Sequence, residues 1–274
     1  MKKSNILTHH FCLQYFVLTV LACFFLRCTK DNYSIDEDGS ILTKINYSNH
    51  DQSWEENYKY SFTGQLIEVE NFQSLERGDR LVYQDSILTE IITTNLADGE
   101  LVFIDSFIYN TAKQLYLIKH FSTNSIENLA LSTVDTFKYD ISGQIKERVT
   151  YFASSQDVIY KQKYHWNGAN IDRVEHFDRE DELLHEFFYK YDDKINYKKL
   201  IGIYFKDPIN WTNNNITEMA WNDYSGLLDM LCRPCITKYE YNRNNYPVRI
   251  SQSWWADQEL VYATENSLLD NWDN

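Results

Sequence analysis

The feature that most constrains this fold is a short motif that recurs about eight times along the chain. An aromatic residue is followed by a polar run and then by an apolar residue, usually with a second apolar residue three positions later. Such copies, 20 to 30 residues apart, indicate one supersecondary unit repeated along the chain. The aromatic residues before the predicted turns are Phe62, Tyr83, Tyr109, Tyr139, Trp166, Tyr191, Trp211 and Tyr241.

Each copy has the properties of a β-hairpin. In the run Tyr58–Phe62 three aromatic side chains alternate with polar ones, which places the aromatics on one face of a strand. The polar run supplies residues that tolerate the positive φ angles of a tight turn. Apolar residues three apart, such as Leu66 and Val69, predict that the first closes the turn or that a β-bulge shifts the phase of the returning strand.

Eight hairpins joined by short connections predict about sixteen strands in an antiparallel meander. The expected fold is therefore all-β, a rolled sheet or a barrel-like structure, with no long helix. Because the aromatics before the turns occupy repeat positions, we expect Phe62, Tyr139 and Trp166 to be buried. A hydrophobic fraction of 43% is enough to fill such a core.

The face opposite the aromatics is predicted to be charged. It would carry Lys146, Arg148 and Thr150 in one strand and Lys161 and Lys163 in another. A charge that faces lipid near the midplane costs roughly 2–4 kcal/mol. The sequence therefore favours a barrel in water over a porin.

The N-terminus has the properties of an export signal. Two lysines precede Phe11–Leu26, which is free of charge and largely apolar. Sixteen residues are short for a membrane span, which needs about 20, and fit a signal peptide better. We expect a signal peptide at 1–28, an acidic tether at 29–50 and one β domain at 51–274, with an uncleaved anchor as the alternative.

Two short segments resemble lipoprotein processing sites. "TVLAC", ending at Cys23, resembles a lipobox, and "RCTKDNYSIDEDGS", containing Cys28, resembles the mature start of Bacteroidetes-type lipoproteins. The resemblance implies lipidation at Cys23, or alternatively at Cys28, and attachment to a membrane through the lipid. It also implies a cell-envelope location at the outer membrane, on its periplasmic face or at the cell surface.

The repeat itself resembles a known one. "YDISGQI", residues 139–145, is similar to the YD repeats of Rhs-type shell proteins, and the resemblance covers most of residues 55–255. Together with the N-terminus, it resembles Bacteroidetes-type lipoproteins of unknown function that carry degenerate copies of this hairpin. The resemblance implies antiparallel hairpins and brings no catalytic residue.

The pair Cys232 and Cys235 is the sharpest local motif. A lone CxxC supplies half of a four-ligand zinc site, and a thioredoxin-like centre needs a following helix, whereas a strand is predicted here. In an oxidising envelope we expect a local disulfide.

No other motif indicates a catalytic, metal or cofactor site. His165, His176 and His185 have no metal spacing and are expected at the surface, and Asp178–Glu182 is expected at a hairpin tip.

Charge limits the partners. A net charge of −14 disfavours nucleic acid, which is itself anionic. The first hypothesis is a non-enzymatic, lipid-anchored binding or scaffold module of the envelope, whose partner is an envelope protein or a glycan. The alternative is a glycan-binding or glycan-processing component of a nutrient-uptake system. Adjacent Trp254 and Trp255 point to opposite strand faces, so one is expected to be available to a sugar ring.

Overall fold

The chain forms a barrel of sixteen antiparallel strands. The structure, a computed structural model, describes residues 40–49, 52–72, 76–123, 129–201, 204, 206–225, 234–253 and 256–264. The strands are β1 Ser40–Ser48, β2 Ser53–Tyr60, β3 Leu66–Asn71, β4 Arg77–Gln84, β5 Ile87–Asn95, β6 Leu101–Tyr109, β7 Leu115–Thr123, β8 Leu129–Tyr139, β9 Ile145–Phe152, β10 Val158–Asn167, β11 Asn170–Phe177, β12 Leu183–Ile195, β13 Asn214–Asp223, β14 Cys235–Tyr241, β15 Pro247–Gln252 and β16 Asp257–Thr264.

Every strand pairs with the next one along the chain, and β1 pairs with β16 to close the barrel. Closure leaves no edge strand open. The all-β, sixteen-strand meander predicted from the repeat is confirmed, and the sheet is a closed barrel. Among the described residues, helix is limited to α1 Tyr197–Ile201, a 3₁₀ helix at Pro208–Trp211 and Tyr204, which is also in 3₁₀ conformation. No helix among the described residues is long and apolar enough to span a membrane.

Four tight turns at one end of the barrel share a five-residue geometry. In the turn 140–144 the backbone N–H of Asp140 donates to the carbonyl of Gln144, and the Asp140 carboxylate accepts from the N–H groups of Ser142 and Gln144. Gly143 takes a φ of 84°, which only glycine adopts without strain. The turns 61–65, 110–114 and 242–246 repeat this backbone pattern. In these four hairpins the polar residue after the aromatic therefore caps its own turn. We call this end of the barrel the turn end, and the opposite end the loop end.

A β-bulge accompanies each of the seven hairpins at the turn end. The register shifts at the aromatic before the turn, for example between Lys138 and Tyr139 and between His165 and Trp166. The shift pairs the aromatic with the first apolar residue, as in Tyr139 with Ile145, and keeps both side chains inside. The bulge predicted from the three-residue spacing is present.

Two of the predicted aromatic positions are wrong. Phe62 lies inside the first turn and is 79% exposed, and Tyr60 occupies the repeat position instead, 8% exposed and paired with Leu66. Trp211 belongs to the 3₁₀ helix, not to a strand. Tyr139 and Trp166 are partly buried and pack against the core, as expected.

The core consists of two layers of inward side chains near the turn end. The first layer contains the aromatics before the turns and their partners, and the second contains pairs such as Phe107 with Ile118 and Tyr164 with Val174. Polar tips of the first-layer aromatics bond to the preceding hairpin: Tyr139 donates to the carbonyl of Leu115 at 2.7 Å. Trp166 and Tyr191 make the equivalent bonds to Ile145 and Ile171. These bonds fasten each hairpin to the one before it.

The barrel begins before residue 51. Residues 40–48, which the sequence analysis assigned to the tether, form β1, and its Ile41, Leu42 and Ile45 are buried in the core. These residues belong to the compact unit Ser34–Asn274. The predicted signal region lies outside the described residues.

One connection enters the barrel. The tight turn between β12 and β13 is replaced by a longer connection, whose described residues are 196–201, 204 and 206–213 and include α1 and the 3₁₀ helix. Tyr197 is 5% exposed and donates to Gln258 of β16, while Trp211 packs near Phe137 of β8. The connection therefore reaches strands on several sides of the lumen. It also places Tyr204 and Lys206 beside polar side chains of β4 and β6.

Candidate functional site

The site lies where the inward side chains of the hairpins change from apolar to polar. One layer beyond the core, towards the loop end, the paired positions hold Asp79 with Thr93 and Asp105 with His120. The same layer also pairs Glu56 with Asn71, Asp135 with Thr150 and Gln162 with His176. We call this set the polar layer.

The centre of the polar layer is a chain of charged groups. His120 bonds through Nδ1 to Asp105 and through Nε2 to Asp135, the second at 3.0 Å. Asp135, which is fully buried, also accepts from Arg148 and from Thr150, both at 2.5 Å. Each buried charge thus has an opposite charge in contact, which is the condition for burying it.

The pKa values follow from these contacts. Burial lowers the pKa of His120, but its bonds to Asp105 and Asp135 outweigh burial and raise the pKa to about 9. Burial raises the pKa of Asp135, but His120, Arg148 and Thr150 outweigh burial and hold the pKa at about 2. His120 is therefore an imidazolium at neutral pH, between two carboxylates.

The inserted connection completes the cluster. The Tyr204 hydroxyl donates to Asp79 at 2.7 Å, and Lys206 forms an ion pair with Asp105. Burial and the neighbouring Asp79 carboxylate raise the pKa of Tyr204 well above its ordinary value, so the phenol stays protonated. A segment 125 residues from Asp79 and 101 residues from Asp105 in sequence is thus fastened to β4 and β6.

Beside this cluster is an open cavity of about 620 Å³. It lies towards the loop end of β3–β8, and Tyr204 and Lys206 form one wall. Charged groups from the polar layer line its interior, while Arg77, Phe103 and Ser122 line it nearer the ends of their strands. Its size is within the usual range of small-molecule sites, about 300–1,000 Å³.

The cluster is arranged to hold structure more than to react. A general acid or base must present a proton or lone pair to a substrate, and both ring nitrogens of His120 already face carboxylates. Asp79 accepts from Thr93 at 2.5 Å and from Tyr204, so its oxygens are also engaged. Within the described ranges, no group of three or more His, Cys, Asp or Glu is placed to hold a metal ion.

Of the four cysteines singled out in the sequence, the structure describes one, Cys235. Cys235 begins β14, is 1% exposed and is disulfide-bonded. Its expected partner Cys232 lies outside the described residues, as do the lipidation candidates Cys23 and Cys28. Trp254 and Trp255 also lie outside them.

The surface prediction for the histidines is wrong for two of the three. His165 faces outward beside Glu175, whereas His176 and His185 face inward, on strands β11 and β12. Burial, followed by the charges of His185 and Arg148, lowers the pKa of His176 to about 4. Residues 178–182 do form a hairpin tip, as expected.

Arg148 and Thr150 were expected on the outer face, but the bulge in this hairpin turns both inward. Arg148 pairs with Phe137 and Thr150 with Asp135, so Arg148 occupies the place that Ile118 has in the preceding hairpin. The expected outward charges of Lys161 and Lys163 lie opposite Phe177 and Glu175 of β11.

Sequence reasoning missed the polar layer, although the repeat carries a signal for it. The residue four positions before the aromatic is acidic or amide in five hairpins, in the runs "ENYKY", "DRLVY", "DSFIY", "DTFKY" and "QKYHW". In a period-two strand, that residue shares the inward face with the two apolar or aromatic residues that follow. A polar residue on a core face is the informative exception.

Comparison with known proteins gives the fold and no family. No protein-family model and no curated protein matches the chain. A porin-like protein from Bacteroides uniformis matches with a TM-score of 0.55 at 10% identity, over 85% of this chain and 99% of that chain.

Two further structures match with TM-scores below 0.5, which add nothing to the fold assignment. A porin-like protein from Bacteroides vulgatus has a TM-score of 0.44 at 13% identity, over 81% of this chain and 98% of that one. A Tc holotoxin pore of Photorhabdus luminescens has a TM-score of 0.32 at 13% identity, over 78% of this chain and 10% of that one. The chain is thus similar in fold to a Bacteroides protein described as porin-like.

Proposed function

We propose that this chain is a cell-envelope protein that is held at the outer membrane by an N-terminal lipid and presents its barrel to water as a non-enzymatic binding module. The lipid would be attached at Cys23 or Cys28, and the tether would run from there to β1. The porin-like description of a protein with the same fold is consistent with an envelope location.

The observation that carries the proposal is the outer face of the barrel. Neighbouring strands place opposite charges side by side on it, as a surface in water does and a lipid-facing surface does not. The outward pairs are Lys44–Glu55, Lys59–Glu68, Lys59–Glu70, Lys138–Glu147, Arg173–Glu186, Lys190–Glu218 and Arg249–Glu240.

Ile92, Ile104 and Ile108 make the outer face of β5 and β6 less charged. A membrane barrel needs an apolar band around its whole circumference, so this patch does not replace one. The interior of the barrel also differs from that of a porin. A porin has a polar lumen, whereas this barrel has two apolar core layers.

Anchoring is tested by metabolic labelling with an alkyne fatty acid followed by detergent-phase partitioning. The wild type should be labelled and enter the detergent phase, and a Cys23→Ala/Cys28→Ala double variant should be unlabelled. The single variants identify the lipidated residue. A labelled double variant would contradict lipidation at either cysteine, and an unlabelled wild type retained in the membrane would indicate an uncleaved anchor.

A second candidate is the glycan-binding component of an uptake system. The cavity beside the polar layer favours it, since aromatic and polar side chains line the same open space. Binding to an array of envelope polysaccharides, with heat-unfolded protein as the control, separates this candidate from a scaffold that binds only protein.

A further inference from the structure

Arg77 lines the cavity, and none of the described residues forms a hydrogen bond or an ion pair with its guanidinium. Its guanidinium lies 5.2 Å from the centre of the Phe103 ring, and within the described residues no carboxylate is within ion-pair distance of it. A guanidinium has five N–H donors in a fixed fork. Stacking on Phe103 orients this fork without consuming the donors.

The other charged groups of the cavity are already engaged. Asp79 accepts from Thr93 and Tyr204, and Asp105 is bonded to His120 and Lys206. The lining of the cavity contains three cationic groups and two carboxylates, although the chain as a whole has a net charge of −14. The guanidinium of Arg77 and the hydroxyl of Ser122 remain available to a ligand. Because a guanidinium only donates, the group that binds it must be an acceptor.

The geometry favours a carboxylate over a phosphate. A carboxylate is planar and matches the fork of one guanidinium with two parallel hydrogen bonds. A phosphate dianion carries a second negative charge, and the other two cations of the lining, His120 and Lys206, are both paired with Asp105. The Phe103 ring is 37% exposed, and with Phe121 it offers an apolar wall for the rest of the ligand.

We propose that this cavity binds a small organic carboxylate, with Arg77 gripping the carboxylate and the Phe103 ring supporting the attached ring or chain. The inference deepens the proposed function and rests on it only in taking the barrel to be a binding module. A sugar acid and an apolar acid share this chemistry.

The test is isothermal titration calorimetry at pH 7 on the full-length protein in detergent micelles. The probes form matched pairs: D-glucuronate with D-glucose, and phenylacetate with phenylacetamide, with inorganic phosphate as a separate probe. At least one carboxylate should bind and its uncharged partner should not. The pair that responds distinguishes a sugar acid from an apolar acid.

Arg77→Gln should weaken that binding about tenfold or more, a change of about 1.4 kcal/mol. Arg80→Gln is the matched control, since Arg80 lies on the same strand with its side chain exposed and away from the cavity. Phe103→Leu, which keeps the guanidinium, should also weaken binding and shows that the result does not depend on the folding of one variant.

Three results would overturn the inference: neither carboxylate binds, phosphate binds as tightly as the carboxylates, or Arg77→Gln and Arg80→Gln bind alike. None of them bears on the lipid anchor, which the labelling experiment tests separately. A failure here is therefore distinct from a failure of envelope anchoring.

Discussion

At the scale of the residue, the polar layer shows how a barrel of this kind tolerates charge inside. Arg148 replaces an apolar residue of the repeat, and its guanidinium lies against Asp135, which is fully buried. His120 bridges that carboxylate to Asp105, whose other oxygen receives Lys206. Removing Asp135 would leave the buried Arg148 without its carboxylate, which costs more than the pair contributes.

The raised pKa of His120 predicts a pH dependence of stability. Because the folded-state pKa of about 9 exceeds the unfolded value of about 6.5, its contribution is complete below pH 6.5 and is lost as pH rises through 9. The loss should be about 3 kcal/mol at most. Urea unfolding at pH 6.5 and pH 9.5 measures it, and His120→Gln should flatten the difference.

His165→Gln serves as the control, since His165 is outward-facing and 38% exposed. It should keep the wild-type pH dependence. His176, with its pKa lowered to about 4, acts in the opposite direction and only below pH 6.5, so it does not enter this window. An equal loss above pH 6.5 in wild type and His120→Gln would show that His120 is not the group responsible.

At the scale of the element, the hairpins could be predicted from the sequence. In the first copy, however, the sequence did not show which aromatic residue is the last one in the strand. In "YKYSFTGQ" both Tyr60 and Phe62 precede a polar residue, and the alternation extends into the turn. The turn geometry resolves this, because Gly64 stands four residues after Tyr60 just as Gly143 does after Tyr139. The glycine at positive φ, and not the last aromatic, defines where the strand ends.

A pair of truncations tests that assignment. Tyr60→Ala removes a buried ring and the hydrogen bond from its hydroxyl to the carbonyl of Leu42, and should lower the free energy of unfolding by about 3–5 kcal/mol. Phe62→Ala, two residues away in the exposed turn, should change it by less than about 0.5 kcal/mol. Chemical denaturation followed by tryptophan fluorescence compares the two. Equal effects would place both rings in the core.

The start of β14 carries a further prediction. Cys232 and Cys235 should form a structural disulfide across a short turn, because Cys235 is bonded and a strand, not a helix, follows it. Closing so short a loop removes little unfolded-state entropy, so the bond should contribute less than about 2 kcal/mol. Mass spectrometry with and without reduction should find this pair linked. Insulin-reducing activity that is lost in Cys232→Ser would instead identify a redox centre.

At the scale of the whole molecule, the strand count was predictable and the path of one connection was not. Seven copies of the motif mark hairpins at the turn end, and local turn chemistry fixes six of them, the exception being the hairpin of β12 and β13. Trp211 and the polar run after it mimic the motif, yet the described residues of this connection fold into the lumen. Their contacts with Gln258, Asp79 and Asp105 are distant in sequence, so no local pattern encodes them.

Closure of the barrel likewise depends on a contact between segments far apart in sequence, β1 and β16. β1 carries no copy of the motif, yet it pairs with β16 on one side and β2 on the other. A variant lacking residues 1–33 should be monomeric and folded, because every described strand remains. A variant lacking residues 1–48 should lose Ile41, Leu42 and Ile45 from the core and expose the edges of β2 and β16. Exposed edges pair with other chains, so this variant should aggregate on size-exclusion chromatography. If it remained monomeric with an unchanged melting temperature, β1 would be dispensable and the barrel would be an open sheet in solution.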